Sequence, residues 1–227
     1  MPCPYHMNPE LETKLRDLVN QLLEANAHTN LTAIRTPEAA WNKHILDSLE
    51  GLGTRLFLPQ KTAIDVGCGP GFPGLPLAIA QPEMKWTFLD ATRKKCDFVH
   101  AMSRYFGLDT QILNARAEEI GQRHLYRAQF DIATARAVGH IVEVAELCLP
   151  LVRHRGHVVL WRGKDAEAEM KQHKWPISKL GGVMREIRPY ELEGHEMTYH
   201  LIVLEKASPT PSQFPRKVGV PKESPLT

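Results

Sequence analysis

The sequence predicts an α/β fold: a mostly parallel seven-stranded sheet with helices on both faces and a helical extension ahead of it. Three observations predict this. From residue 62 to residue 172, short apolar runs alternate with stretches of helical period, the pattern of parallel strands joined by crossover helices. A turn dense in glycine and proline, Gly67 to Gly74, follows the first run. The last two runs, Val183–Tyr190 and Thr198–Glu205, alternate apolar and polar residues about Glu193-Gly194, which reads as an antiparallel pair at the sheet edge.

Each element has a local cause. Asn8 suits a helix cap and Pro9 the first helical position, after which Leu11, Leu15, Leu18, Val19, Leu22 and Leu23 recur at helical spacing. A second helix is expected from Thr36-Pro37, with Trp41, Ile45, Leu49 and Leu52 along one face. Residues 8–52 therefore read as a helical region packed on the sheet, and residues 53–206 as the α/β domain. The parallel strands are expected at Thr62–Val66, Trp86–Asp90, Thr110–Leu113, Phe130–Thr134 and Gly156–Trp161. Helices are expected at Leu75–Gln81, from Thr92 to near Gly107, at Ile141–Leu149 and at Asp165–Gln172. Beyond Lys206 the composition shifts. Pro209, Pro211, Pro215, Pro221 and Pro225 join Arg216, Lys217 and Lys222 against the single acid Glu223. Residues 207–227 read as an extended basic tail outside the core.

Composition narrows the function classes. With 227 residues, 43% hydrophobic and 24% charged, the chain can build a core without disulfide or metal staples. Disordered, collagenous and disulfide-scaffold proteins are excluded. A net charge of +2 means that any polyanion must meet a local patch. Cys3, Cys68, Cys96 and Cys148 lie far apart and the histidines show no metal spacing, so reduced cytoplasmic thiols and no metal are expected. The longest stretch without Asp, Glu, Lys or Arg, Val66–Pro82, is broken by glycines and prolines and does not read as a membrane helix. Met1 to Glu10 lacks the basic-then-apolar order of a secretory signal.

The chemistry concentrates in Ile64-Asp65-Val66-Gly67-Cys68-Gly69-Pro70-Gly71-Phe72-Pro73-Gly74. A strand ends in an acid, alternating glycines let the backbone approach a ligand, and a helix follows. In open α/β sheets, ligands bind beyond the carboxyl ends of the strands. Gly69-x-Gly71-x-x-Gly74 satisfies the dinucleotide fingerprint, but Pro70 and Pro73 remove amides that a pyrophosphate needs. S-adenosylmethionine (AdoMet) carries no phosphate, and Asp65 with Gly67-x-Gly69-x-Gly71 resembles motif I of the class I AdoMet-dependent methyltransferases, a Rossmann-like fold. Asp90, at the end of the second strand, can accept from a ribose diol, which NAD and AdoMet both present. Arg93, Lys94 and Lys95 open a helix against its dipole, where a phosphate backbone would offset the cost.

These motifs, taken together, resemble the bacterial 16S ribosomal RNA guanine-N7 methyltransferase G family, known also as glucose-inhibited division protein B. The matching stretches include Asn30-Leu31-Thr32, His44-Ile45-Leu46-Asp47-Ser48, Pro70-Gly71-Phe72-Pro73-Gly74-Leu75-Pro76-Leu77, Asp90-Ala91-Thr92-Arg93-Lys94-Lys95, Arg116-Ala117-Glu118, Arg136-Ala137 and Pro215-Arg216-Lys217-Val218-Gly219-Val220-Pro221. Ala135 and Arg162-Gly163 depart from the family's usual Ser and Lys-Gly. The resemblance implies AdoMet as cofactor, with contacts at Gly67, Phe72, Asp90, Ala91, Thr92, Ala117, Glu118 and Arg136; the glycine motif adds Asp65, Gly69 and Gly71. Arg136, after the fourth strand, is the candidate catalytic residue, binding the methionine carboxylate or an RNA phosphate. His44 reads as a packing histidine.

The implied reaction is in-line methyl transfer to guanine N7, which has a free lone pair and needs no general base. Positioning and electrostatics would supply the catalysis. The expected partner is 16S rRNA or an assembling small subunit, met by a monomer in the cytoplasm through Arg93, Lys94, Lys95, Lys164, Arg216 and Lys217. The tail is expected to order on RNA. A nicotinamide-dependent oxidoreductase, a non-catalytic AdoMet or RNA module, and a small-molecule methyltransferase are the competing readings.

Overall fold

A computed structural model describes residues 7–136 and 139–227. Cys3 and Ala137, both named above, lie outside the described residues. Asn8 caps α1 (Pro9–Thr29), accepting from the Leu11 amide at 2.8 Å. Helix α2 (Pro37–Ala40) opens under Thr36. It does not run on as a regular α-helix: Trp41–Leu46 widen into a π-helical turn in which the Asp47 amide reaches back to the Asn42 carbonyl. A short α3 (Asp47–Leu49) and a 3-10 turn (Glu50–Thr54) close the region. Such widened turns recur at functional sites.

The sheet then forms in chain order: β1 (Thr62–Val66), α4 (Gly74–Ala80), β2 (Lys85–Asp90), α5 (Arg93–Tyr105), β3 (Thr110–Asn114), α6 (Ala117–Gln122), β4 (Phe130–Arg136), α7 (Ile141–Cys148) and β5 (Val152–Arg162). Two short helices, α8 (Ala166–Gln172) and α9 (Lys174–Lys179), lead to β6 (Gly182–Glu191) and β7 (Thr198–Lys206). The strands lie in the order β3-β2-β1-β4-β5-β7-β6. β1 to β5 are parallel; β7 inserts antiparallel between β5 and β6. The fold is thus the mostly parallel seven-stranded α/β architecture that the alternation predicts. Its order reverses direction at β1/β4, the crevice where such sheets bind ligands.

Two apolar cores lie on the two faces. Leu15, Leu18 and Leu22 of α1, with Leu75, Leu77 and Val99, cover Ala63, Trp86 and Phe88. Ile141, Val142 and Ala145 of α7, with Ile120 and Ile177, cover Ile64, Val66 and Ala133. Alternate residues of β1 serve opposite faces, as the pleat requires. Among the described residues, no helix is long and apolar enough to cross a membrane.

The C-terminal segment departs from the expectation of a tail outside the core. Phe214 is 3% exposed, and Pro215 and Pro221 are buried. An extended, proline-rich segment offers carbonyls without a strand partner, and Arg127 gathers them: it donates to Thr210 O at 2.9 Å, Pro211 O at 3.1 Å and Phe214 O at 2.7 Å. The segment ends in α10 (Val220–Glu223) beside α7.

Candidate active site

The glycine loop closes on itself. The Gly67 and Cys68 amides donate to Leu89 O, and those of Gly71 and Phe72 to Cys68 O. The Gly69 amide donates to Asp90 Oδ2 at 2.9 Å, and the Gly74 amide to Asp65 Oδ2 at 2.9 Å. Pro70 and Pro73 have none to give. Every amide from Gly67 to Leu75 is therefore engaged or missing, so the loop has no donors left for a pyrophosphate. A phosphate-free nucleoside fits this cradle; a dinucleotide does not.

Asp65 departs from its expected place among the cofactor contacts. Its carboxyl is fully buried beneath the loop, accepting from Gly74 and, at 2.9 Å, from the Thr134 hydroxyl across the β1/β4 register. It pins the loop to the sheet and does not face solvent. Asp90 is the acid at the surface: its Oδ1 accepts from the Thr92 amide at 2.7 Å, joining the glycine loop to the start of α5.

Above the strand ends lies a cleft of about 510 Å³. Gly67, Gly69 and Phe72 line one side, Arg136 and Lys95 the rim, and Trp161, Tyr190 and Tyr199 the far wall. Lys43 and His44 of the widened turn and Asp47 at the start of α3 complete it. Arg136 is held there, donating to Asp47 Oδ2 at 2.7 Å and Lys43 O at 2.9 Å. It also meets His44 Nδ1 at 3.2 Å. A guanidinium has only donors, so Nδ1 is the acceptor; Nε2 then carries the proton and donates to Thr32 Oγ1 at 3.0 Å. The His44 ring stacks on Phe72, with centroids 4.4 Å apart. Asp47 is the hub of the wall: Oδ1 accepts from the Tyr190 hydroxyl, and its carbonyl from Trp161 Nε1 at 2.7 Å.

Other expected site residues sit elsewhere. Asp90, Ala91 and Thr92 do not line the cleft; Ala91 is exposed and Asp90 and Thr92 half-buried. Glu118 is 5% exposed, its Oε1 accepting from Gly219 N at 3.0 Å and Arg116 at 3.3 Å; burial raises its pKa, but these donors hold it below the usual carboxylate range. Arg93, Lys94, Lys164 and Lys217 are exposed. Arg216 instead is committed to Glu146, a fully buried acid, at 2.7 Å, which removes it from the free phosphate contacts expected of it. His44 both packs and lines the cleft. Asp47, Trp161, Tyr190 and Tyr199 were not among the expected site residues. Asp47 stands in the His44–Ser48 stretch of the family resemblance, which implies no role for it, and nothing in the local sequence of the others marks them.

Two buried groups set opposing pH dependences. Burial, then the Arg136 and Lys43 charges, lower His44 from 6.5 to about 3. Burial raises Asp65 from 3.8 to about 7 against the bonds from Thr134 and Gly74. Between these limits the unfolded chain holds the His44 proton and the folded chain does not, so this contribution is lost as pH falls. For Asp65 the folded chain holds the proton, so its contribution is lost as pH rises. Each slope is up to about 1.4 kcal/mol per pH unit, and they oppose each other between about pH 4 and 6.5. In urea unfolding across that range, His44→Gln is expected to tilt stability downward with rising pH relative to the parent, and Asp65→Asn upward. Parallel curves would contradict this placement of the two protons.

The profile of the rRNA small subunit methyltransferase G family matches residues 11–196. The chain is 37% identical over 223 residues to "Ribosomal RNA small subunit methyltransferase G" of Alkaliphilus metalliredigens, covering 98% of this chain and 93% of the relative. It is 38% identical to the protein of that name from Trichormus variabilis, covering 95% and 90%. The branched-chain polyamine synthase of Thermus thermophilus shares the fold, with a TM-score of 0.61 at 16% identity over 86% of this chain and 65% of that one. With the phosphate-free cradle and the cleft beside it, these matches show that the chain belongs to the rRNA small subunit methyltransferase G family.

Proposed function

We propose that the protein transfers a methyl group from AdoMet to N7 of a guanine in 16S ribosomal RNA. The observation that carries the choice of atom is that the cleft offers no free base. Among its described lining residues the proton acceptors are His44 and Asp47, and both are engaged, the first by Arg136 and Thr32, the second by Arg136 and Tyr190. Guanine N7 bears a lone pair and no proton, so its attack needs no such group, whereas an exocyclic amine loses one. Cys68 also lines the cleft, but burial, reinforced by Asp65 and Asp90, pushes its thiol well up, which disfavours the thiolate needed for attack on a pyrimidine ring.

AdoMet, when bound, supplies an electrophilic sulfonium methyl. The residues that hold it are Gly67, Gly69 and Phe72 at the loop, Asp90 for the ribose diol, Ala91 and Thr92 beside it, and Ala117 and Glu118 at the adenine. Gly71 and Asp65 shape the cradle from beneath. Arg136, fixed by Lys43 and His44 of the widened turn and by Asp47 and Ser48 of α3, places positive charge at the cleft and orients the guanine or a flanking phosphate. Catalysis is then positioning. Lys43 and Lys95 on the rim, with exposed Arg93, Lys94, Lys164 and Lys217, meet RNA phosphates. The protein acts as a monomer in the cytoplasm, in keeping with the free thiols of Cys68, Cys96 and Cys148. The test is to map N7-methylguanine in 16S rRNA by borohydride–aniline cleavage, from cells with and without this chain. One guanine that loses its cleavage when the gene is deleted is the expected result; methyl label on an exocyclic nitrogen or a pyrimidine overturns the reading.

A further inference from the structure

The C-terminal segment, which carries the Pro215–Pro221 stretch, runs past residues 11–196 of the family profile and is strapped along α6, the helix of Glu118. Gln122 donates to Pro215 O at 2.7 Å and Ser212 O at 3.2 Å. A Cβ on Gly121 would stand 2.7 Å from Pro215 Cγ, so helix and strap touch backbone to ring. Arg216 anchors the strap through four bonds to the buried Glu146, donating from its amide at 2.8 Å and from its guanidinium at 2.7 to 3.1 Å. From that anchor the chain turns at Gly219, φ +86°, and delivers its amide to Glu118 Oε1. Pro221 and α10 then lock the turn.

We infer that this strap is a positioning element of the cofactor site: the Gly219 amide fixes the carboxylate of Glu118, and so sets how tightly the enzyme holds the adenine of AdoMet. The inference rests on the reading that Glu118 faces the adenine. Lys217 and Lys222 of the strap stay exposed, but Arg216 is spent on an internal acid, and the backbone amide that reaches Glu118 points at a carboxylate and away from any phosphate. A buried acid with donors converging on one oxygen has one orientation; without Gly219 the side-chain donor that remains is Arg116, itself 49% exposed.

The test is a chain ended after Lys217, which keeps the Arg216 anchor and removes Gly219 and α10. AdoMet affinity by titration calorimetry is expected to fall tenfold or more. At saturating AdoMet, kcat is expected within about twofold of the parent, with the KM for rRNA and its salt slope unchanged. Should the shortened chain fold poorly, Gly219→Val displaces the amide in the full-length protein, since its Cβ has room, 3.5 Å from Glu223 Oε1, but its φ is strained. The same loss of AdoMet affinity is expected there. In a Glu118→Gln background, shortening should cost little more, because the acceptor is already impaired; additive losses overturn the coupling. Unchanged AdoMet affinity in both strap variants overturns the inference, as does a loss confined to rRNA affinity and its salt slope, which would make the segment an RNA arm. If the intact chain itself binds no AdoMet, the cofactor reading falls first and this inference with it.

Discussion

Replacing Asp47 by alanine is expected to cost about 3–5 kcal/mol of folding stability and to abolish methyl transfer. The Arg136 side chain is 14% exposed and that of Asp47 9%, so the pair is largely out of water. Truncating the acid leaves the guanidinium without its counter-charge and the Tyr190 hydroxyl without its acceptor, and both are held where solvent reaches poorly. The loss then spreads through geometry. Arg136 also grips Lys43 O and His44, and His44 stacks on Phe72 of the glycine loop. Releasing Arg136 therefore loosens the wall facing the substrate and the cofactor loop together. Asp47→Asn keeps an acceptor without the charge and is expected to cost less, about 1.5–3 kcal/mol. Urea unfolding gives the stabilities; transfer of labelled methyl, measured where each variant is still folded, gives the activity. An Asp47→Ala protein as stable and active as the parent would show that the wall does not depend on this acid.

The same residues show what a sequence discloses. The sheet was legible because period 2 and period 3.6 alternate from Thr62 onward, and because burial on both faces leaves apolar runs such as Trp86–Asp90. Gly67 and Gly69 were legible because a loop that must approach a ligand needs glycines, whose spacing is local; Phe72 is expected from the family resemblance and not from that spacing. Asp47 was not, since its importance comes from Arg136, Trp161 and Tyr190, which lie far along the chain and meet only through the sheet order. The widened turn at Trp41–Leu46 also escapes the pattern: Trp41, Ile45, Leu49 and Leu52 fit an ordinary helix, and the apolar spacing does not mark the wider turn. Charge misled at Arg216. Its proline-rich neighbourhood looks solvated, but the buried Glu146 demands a partner, and α7 reads as apolar apart from its acids. Asp65 misled for the opposite reason: an acid at a strand end next to glycines looks like a ligand contact, and here it is the bolt beneath the loop.

Two neighbouring glycines separate the loop's fold from its ligand. A side chain at Gly71, φ +96°, would set its Cβ 2.4 Å from Leu75 Cδ1 and 2.6 Å from Cγ, with Val99 at 3.3 Å. Gly71→Val is thus a clash with the core as well as a strained backbone, and is expected to destabilise by about 3–5 kcal/mol. Loss of AdoMet binding in that variant then comes with general unfolding. At Gly69, φ +57°, a Cβ meets nothing within 4 Å, and the residue lines the cleft. Gly69→Ala is expected to cost only about 1–2 kcal/mol of stability, from the left-handed backbone. Its methyl group occupies space that the bound nucleoside needs, so AdoMet affinity by calorimetry should fall at least tenfold. Because the rim cations Lys43 and Lys95 stay in place, rRNA affinity should not change. A Gly69→Ala protein that binds AdoMet like the parent would mean that the cofactor does not lie against this turn. Nearly equal destabilisation by the two substitutions would mean that Gly69, too, is packed against the core and faces no open cleft.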